Sequence, residues 1–216
     1  MSRPTLDPIE ARVAGALIEK ALATPDSYPL TLNALVNACN QKSSRDPVMD
    51  LSERNVRDAI ERLTRRGLAG TTSGSGHRVA KFRHTVDRAL DLSRAELATL
   101  AVLMLRGPQT PGEIRTRTGR MAEMASVSDA EEALWMLGDR DEPLAVVLPR
   151  EPGQSADRYA HTLSGNVEPA PAPDADAETD APPVAGGPTL ADRVTEVEAE
   201  VQRLRDEMEA FRAQFE

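Results

Sequence analysis

The stretch SERNVRDAIERLTRRGLAGTTSGSGHRVAKFRH, residues 52–84, decides the fold. Ser52 suits a helix N-cap, and Val56, Ala59, Ile60 and Leu63 recur at the three- and four-residue steps of one helix face. Gly67 suits the stop, because glycine takes a left-handed backbone without steric cost. Two short strand-like runs follow, at 68–72 and 78–83, with Ser73-Gly74-Ser75-Gly76 as a flexible turn between them.

Upstream, Asp7-Pro8-Ile9-Glu10 opens a helix: Asp7 can cap, Pro8 fits the first helical position and Glu10 completes a capping box. Ile9, Val13, Ala16, Leu17 and Ala21 fall on one face, and Thr24-Pro25-Asp26 ends it. A short second helix carries Leu32, Leu35 and Val36. Three helices and a β-hairpin make a winged helix, a variant of the helix-turn-helix plan.

Downstream the order repeats. Ser93 caps a helix through Leu105 with Leu97, Leu100, Ala101 and Met104 inward, and Gly107-Pro108 breaks it. Thr110-Pro111-Gly112-Glu113 starts a second helix, and Ser128-Asp129-Ala130-Glu131 reads as the capping box of a third bearing Ala133, Leu134 and Leu137. Strands at 144–148 and 158–163 flank a turn at 149–157. Ser52 precedes Leu68 by 16 positions, as Ser128 precedes Leu144. Lys81-Phe82-Arg83-His84 and Arg158-Tyr159-Ala160-His161 lie 77 positions apart. These matches predict an internal repeat.

The tail differs. Residues 166–188 hold six prolines, five acids and no Lys or Arg, the composition of a disordered, self-repelling spacer. Leu190, Val194, Val197, Val201, Leu204, Met208, Phe211 and Phe215 then alternate steps of four and three. That is the 3.5-residue period of a coiled coil. A parallel homodimer would set Arg193 against Glu198, Glu200 against Arg205 and Glu207 against Arg212, all opposite in sign. A lone amphipathic helix docked on its own domain or on another partner is the plainer alternative.

The expected fold is therefore mainly α with small β-hairpins (α+β). Two tandem winged-helix domains at 1–88 and 89–165 precede a linker at 166–188 and a coiled-coil helix at 189–216. No apolar run approaches the roughly 20 residues of a membrane span, and the N-terminus lacks a signal peptide's apolar core. The single Cys39 cannot form an internal disulfide. A cytoplasmic protein is the expectation.

Charge is uneven. Residues 1–88 carry 14 Lys/Arg against 10 Asp/Glu, residues 89–165 carry 8 against 12, and residues 166–216 carry 4 against 13. The basic first domain is the candidate for DNA. Its third helix offers Arg54, Asn55, Arg57 and Arg65 to base edges and phosphates, its wing adds Arg78, Lys81 and Arg83, and the long polar 40–50 connection adds Lys42 and Arg45. A solvated ladder explains the helix equally: Arg54–Asp58, Arg57–Glu61, Asp58–Arg62 and Glu61–Arg65 are all four apart. Likewise, the polar connection can simply satisfy its own backbone.

Ile18-Glu19-Lys20, the run from Tyr28 to Val36 and Cys39-Asn40-Gln41-Lys42-Ser43 closely resemble the bacterial YceH family of uncharacterised proteins. The run from Arg106 to Glu113 and Arg158-Tyr159-Ala160-His161 fit it too, so the resemblance covers about residues 6–165. It implies a tandem winged-helix fold in a bacterial cytoplasm and no established activity.

His77, His84 and His161 lack metal-ligand spacing, Cys39 has no histidine near it, and Gly74-Ser75-Gly76 lacks the lysine and helix of a phosphate loop. No enzyme, metal or cofactor is expected. The sequence supports a DNA-binding protein, a transcriptional regulator acting as a dimer. The alternative is a protein-interaction scaffold without direct DNA contact.

Overall fold

In the computed structural model, residues 4–72, 79–150, 154, 156–164 and 203 are described. The chain divides into two units, Met1–Pro171 and Ala172–Glu216. From the second unit only Arg203 is described, helical and exposed. The expected spacer at 166–188 and the expected seam from Leu190 to Phe215 lie outside the described residues.

The first unit is mixed α+β. Its helices are α1 (Pro8–Ala23), α2 (Leu32–Cys39), α3 (Glu53–Arg65), α4 (Val86–Leu90), α5 (Arg94–Arg106), α6 (Pro111–Thr118) and α7 (Val127–Gly138). Its strands are β1 (Leu30–Thr31), β2 (Ala69–Thr72), β3 (Lys81–His84), β4 (Ala145–Val147) and β5 (Tyr159–His161). Local chemistry sets most helix starts. Asp7, Ser52, Ser93 and Thr110 each cap their helix and each closes a capping box, with Glu10, Asn55, Glu96 and Glu113 respectively.

The expected box at Ser128 is corrected. Ser126 caps α7, and its partner is Asp129, whose carboxylate accepts from the Ser126 and Ala125 amides. Ser-x-x-acid occurs at both 126–129 and 128–131, and starting at Ser126 places Ser128 inside the first turn. Ser126 stands two residues earlier than expected, so the matched 16-residue spacing does not hold between caps.

The repeat itself shows in the sheets. The first is antiparallel in the order β1-β3-β2, pairing Phe82 with Thr71 and His84 with Ala69. In the second, β4 pairs with β5, setting Tyr159 against Val147 and His161 against Ala145. Leu30 bridges Phe82 just before the Thr31 cap of α2, and Gln109 bridges Tyr159 just before the Thr110 cap of α6. The two halves thus run helix, bridge, helix, helix, strand, strand.

Their first helices sit side by side. Every residue of α1 from Glu10 to Ile18 and every residue of α5 from Glu96 to Leu105 is buried. A helix apolar on all sides belongs in an interior, so the single inward faces expected of both are too narrow. Gly15 permits the approach: a Cβ there would stand 2.9 Å from Leu105 Cγ. One hydrophobic cluster runs through both halves. The Leu6 amide donates to the Leu163 carbonyl at 2.6 Å, tying the segment before α1 to the one after β5.

The connection between α2 and α3 is held by two buried arginines. Arg12 donates to the carbonyls of Cys39 (3.2 Å) and Pro47 (2.6 Å). Arg45 donates to Ala38 O, Ser44 O and Gln41 Oε1, and grips both carboxylate oxygens of Glu19 at 3.1 and 2.6 Å. The polar loop therefore satisfies its backbone through Arg12 of α1 as well as through its own side chains, Asn40 and Arg45 among them. No helix among the described residues is long and apolar enough to cross a membrane.

Candidate nucleic-acid interface

The solvent face of α3 exists because its other face is committed. Val56, Ala59, Ile60 and Leu63 are buried. Arg62 donates to Glu10 at 2.7 Å and Asp7 at 2.8 Å, and Arg66 donates to Glu10 at 3.0 Å. Arg62 of the helix and Arg66 at its C-cap thus neutralise a carboxylate that is 1% exposed on α1. This replaces the expected Asp58–Arg62 pair with a contact between helices.

Arg54, Asn55, Arg57 and Arg65 remain outward. Arg54 has a side chain 90% exposed and lies 3.9 Å from Asp58, a loose pair. Arg57 pairs with Glu53 rather than with Glu61. Such exposed pairs contribute about 0.3–0.5 kcal/mol and yield readily to a stronger anion. Asn55 is engaged within its own helix, where its Oδ1 accepts from the Ser52 amide at 3.0 Å and from Ser52 Oγ at 2.6 Å. A carboxamide reads adenine with oxygen and nitrogen together, so Asn55 serves here to fix the helix start. Arg65 stands 11 residues from Arg54, about 16 Å along the axis at 1.5 Å per residue. It has no ion pair among the described residues and borders a groove of 460 Å³ with Phe82 and Thr71.

On β3, Lys81 and Arg83 alternate with Phe82 and His84 and so share the opposite face of the strand. The Arg83 stem lies over Gly70, where a Cβ would be 3.7 Å from Arg83 Nε. Lys42 is exposed in the loop. Arg45 is corrected. Its side chain is fully enclosed, so it cannot meet a phosphate; it holds the loop to Glu19 and to the end of α2. Burial disfavours the charged Glu19, but the Arg45 hydrogen bond and charge outweigh it, and its pKa lies below the ordinary value. Arg78, with His77, lies outside the described residues. The structure thus gathers Arg54 and Arg57 on one turn, sets Arg65 at the far end, and withdraws Asn55 and Arg45 from contact.

His84 and His161 are half-buried strand residues. Burial lowers the pKa of His84, and pushes that of His161 down to about 4. Cys39 is buried, and burial raises its thiol to about 12; a thiol so protonated is a poor nucleophile.

The third helix of the second half presents a different face. On α7, Trp135 is 61% exposed, with Met136 and Val127 also outward, beside Glu131 and Glu132. Large exposed apolar side chains grouped on one helix are uncommon on a monomer surface. Sequence reasoning took only the inward residues of this helix. The outward Trp135, the chain's one tryptophan, was the available signal.

A family model described as a protein of unknown function, DUF480, matches residues 6–154. The chain is 48% identical over 211 residues to the UPF0502 protein azo0627 of Azoarcus sp. (strain BH72), covering 98% of this chain and 91% of that protein. It is 48% identical over 200 residues to the UPF0502 protein Acid345_3645 of Koribacter versatilis (strain Ellin345), covering 92% and 90%. A UPF0502 protein of Shewanella amazonensis is 52% identical over 162 residues, covering 73% and 77%.

Proposed function

From the premise that this chain belongs to the DUF480 family of uncharacterised bacterial proteins, we propose that it is a cytoplasmic DNA-binding protein. In this reading it is a transcriptional regulator built from two winged helices and acting as a dimer. The order helix, bridge, helix, helix, strand, strand in both halves supports the winged-helix assignment. The observation that carries the DNA reading is the exposed outer face of α3, whose Arg54 is 90% exposed and whose Arg57 neighbours it one turn on, both held only by exposed pairs within the helix. Lys81, Arg83 and Arg78 add phosphate contacts from the hairpin, and the seam from Leu190 to Phe215 pairs two copies. No catalytic step, metal or cofactor enters this reading.

With about five phosphate contacts drawn from Arg54, Arg57, Arg65, Arg78, Lys81 and Arg83, log affinity against log salt should slope near −4 to −5. Fluorescence anisotropy of the full chain on a random duplex over a salt series measures it. Replacing Arg54, Arg57 and Lys81 together by alanine should flatten the slope by about three. Absence of binding at about 50 mM salt would discard the proposal.

The α7 face favours a second reading, a scaffold whose docking surface is Trp135 and Met136 rimmed by Glu131 and Glu132. Its carboxylates ask for a basic, apolar protein segment. A partner recovered stoichiometrically after nuclease treatment, and lost with Trp135→Ala, supports this reading. Recovery that disappears with nuclease returns the case to DNA.

A further inference from the structure

A cleft between the two halves collects more positive charge than the protein neutralises. Two adjoining depressions of 470 and 420 Å³ share Ser44, Arg106 and Arg117 in their walls. Lys20, Arg45, Arg106, Arg117, Arg120 and Arg158 line them, against only Glu19, Asp46 and Glu113. Two of those carboxylates are already divided. Glu19 serves Arg45 at 2.6 Å and Lys20 at 3.5 Å, and Glu113 serves Arg117 at 3.3 Å and Arg158 at 3.2 Å. The Arg106 guanidinium, at the end of α5, makes no hydrogen bond or ion pair among the described residues. Burial first, then the nearby Arg117 and Arg45 charges, lower its pKa, while the Glu19 and Glu113 charges act in the opposite direction without cancelling them.

A partly buried guanidinium beside others, with no carboxylate hydrogen-bonded to it among the described residues, is left to water, which an anion can replace. Guanidinium pairs match the paired oxygens of a phosphoryl group. The walls are set in advance: Arg45 pins Ser44 through its carbonyl at 2.7 Å, and the Asp46 amide donates to the Leu105 carbonyl at 2.8 Å. The larger depression also has an apolar side formed by Val102, Leu105 and Met121. The combined space suits a small molecule, since such sites measure about 300–1,000 Å³.

We propose that this cleft binds a small phosphorylated metabolite. Its phosphoryl head sits between Arg106 and Arg117, and its uncharged body lies along Val102, Leu105 and Met121. The site is independent of whether α3 contacts DNA.

The test uses the full chain and sodium pyrophosphate as the probe of the head group, at constant ionic strength with chloride as the control. Thermal unfolding should shift upward and saturate at millimolar pyrophosphate, and calorimetry should give one site per chain. Arg106→Gln should weaken binding at least tenfold while leaving the ligand-free melting temperature within about a degree, because its guanidinium holds nothing in the fold. Arg106→Lys, which keeps the charge and loses the fork, should bind with intermediate strength. No saturable shift in the unaltered chain, or an equal shift in Arg106→Gln, overturns the proposal. Displacement of pyrophosphate by a short DNA duplex overturns it as well, because the cleft would then serve a nucleic-acid backbone.

Discussion

Replacing Gly15 by alanine tests the contact that joins the two halves. In the middle of a helix this change usually stabilises by about 0.5–1 kcal/mol, since glycine carries the larger entropy cost of ordering. Here the new Cβ would stand 2.9 Å from Leu105 Cγ, 3.1 Å from Leu105 Cδ2 and 3.3 Å from Met104 Cβ. Carbon pairs prefer about 3.5–4.0 Å. Leu105 Cγ is a branch point on a buried side chain and Met104 Cβ is fixed to its backbone, so α5 itself must move. Overpacking of this kind costs about 1–3 kcal/mol. The packing term exceeds the propensity term, leaving a net loss on the order of 0.5–2 kcal/mol. For a chain of this size that lowers the melting temperature by roughly 1–8 °C. Gly112→Ala in α6 is the matched control: its Cβ meets nothing within 4 Å, so it should gain about 0.4–1 kcal/mol. Calorimetry or far-ultraviolet circular dichroism reads both. If Gly15→Ala raised the melting temperature as Gly112→Ala does, α1 and α5 would not be in close contact, and the shared core would be refuted.

Two further outcomes follow from buried charge. Arg45→Met removes the cation that grips Glu19 and the Ala38 carbonyl and should cost about 3–5 kcal/mol. A urea midpoint unchanged within error would mean that the α2–α3 connection is not held through Arg45. For His161, burial sets a folded pKa of about 4, below the usual unfolded value near 6.5. Between those values the unfolded chain binds the extra proton, so stability falls as pH drops through that window and is unaffected above it. Acidifying from pH 7 to 4.5 should remove about 2–3 kcal/mol through this group. His161→Leu should lose that part of the pH dependence, since His161 Nδ1 has no hydrogen-bond partner among the described residues. An equal urea-midpoint change in both proteins would refute it.

The order of elements was legible because it is written locally. Asp7, Ser52, Ser93 and Thr110 announce helix starts, and Gly67 and Gly107 take the positive φ of 73° and 69° at the ends. What depended on distant partners was not legible. β1 is two residues long and exists only through pairing with β3. Arg45 looks like a surface cation of a polar loop and Arg12 like the charged residue of a surface helix, yet their acceptors are carbonyls and a carboxylate brought up by the fold. The all-round burial of α5 did leave a mark, since no charge interrupts the run from Leu97 to Leu105. Reading it against a single-face template missed that meaning.

The candidate site divided along the same line. Arg54 and Arg57 were readable as outward because the buried stripe of α3 fixes which positions face solvent. The number of cations left on that face was not readable. Glu10, 43 positions before Glu53, draws Arg62 and Arg66 away. The outer face of α3 then carries Arg54, Arg57 and Arg65 beside Glu53, Asp58 and Glu61, and is nearly balanced. The surplus lies instead in the cleft, where Lys20, Arg106, Arg117 and Arg158 converge from four separate elements or turns. Net charge by domain located a basic half, but polyanion affinity depends on cations whose carboxylates are spent elsewhere. By that criterion Arg106, in the half with an acidic total and without an ion pair among the described residues, is expected to hold an anion more strongly than Arg54 or Arg57, which are already paired along α3.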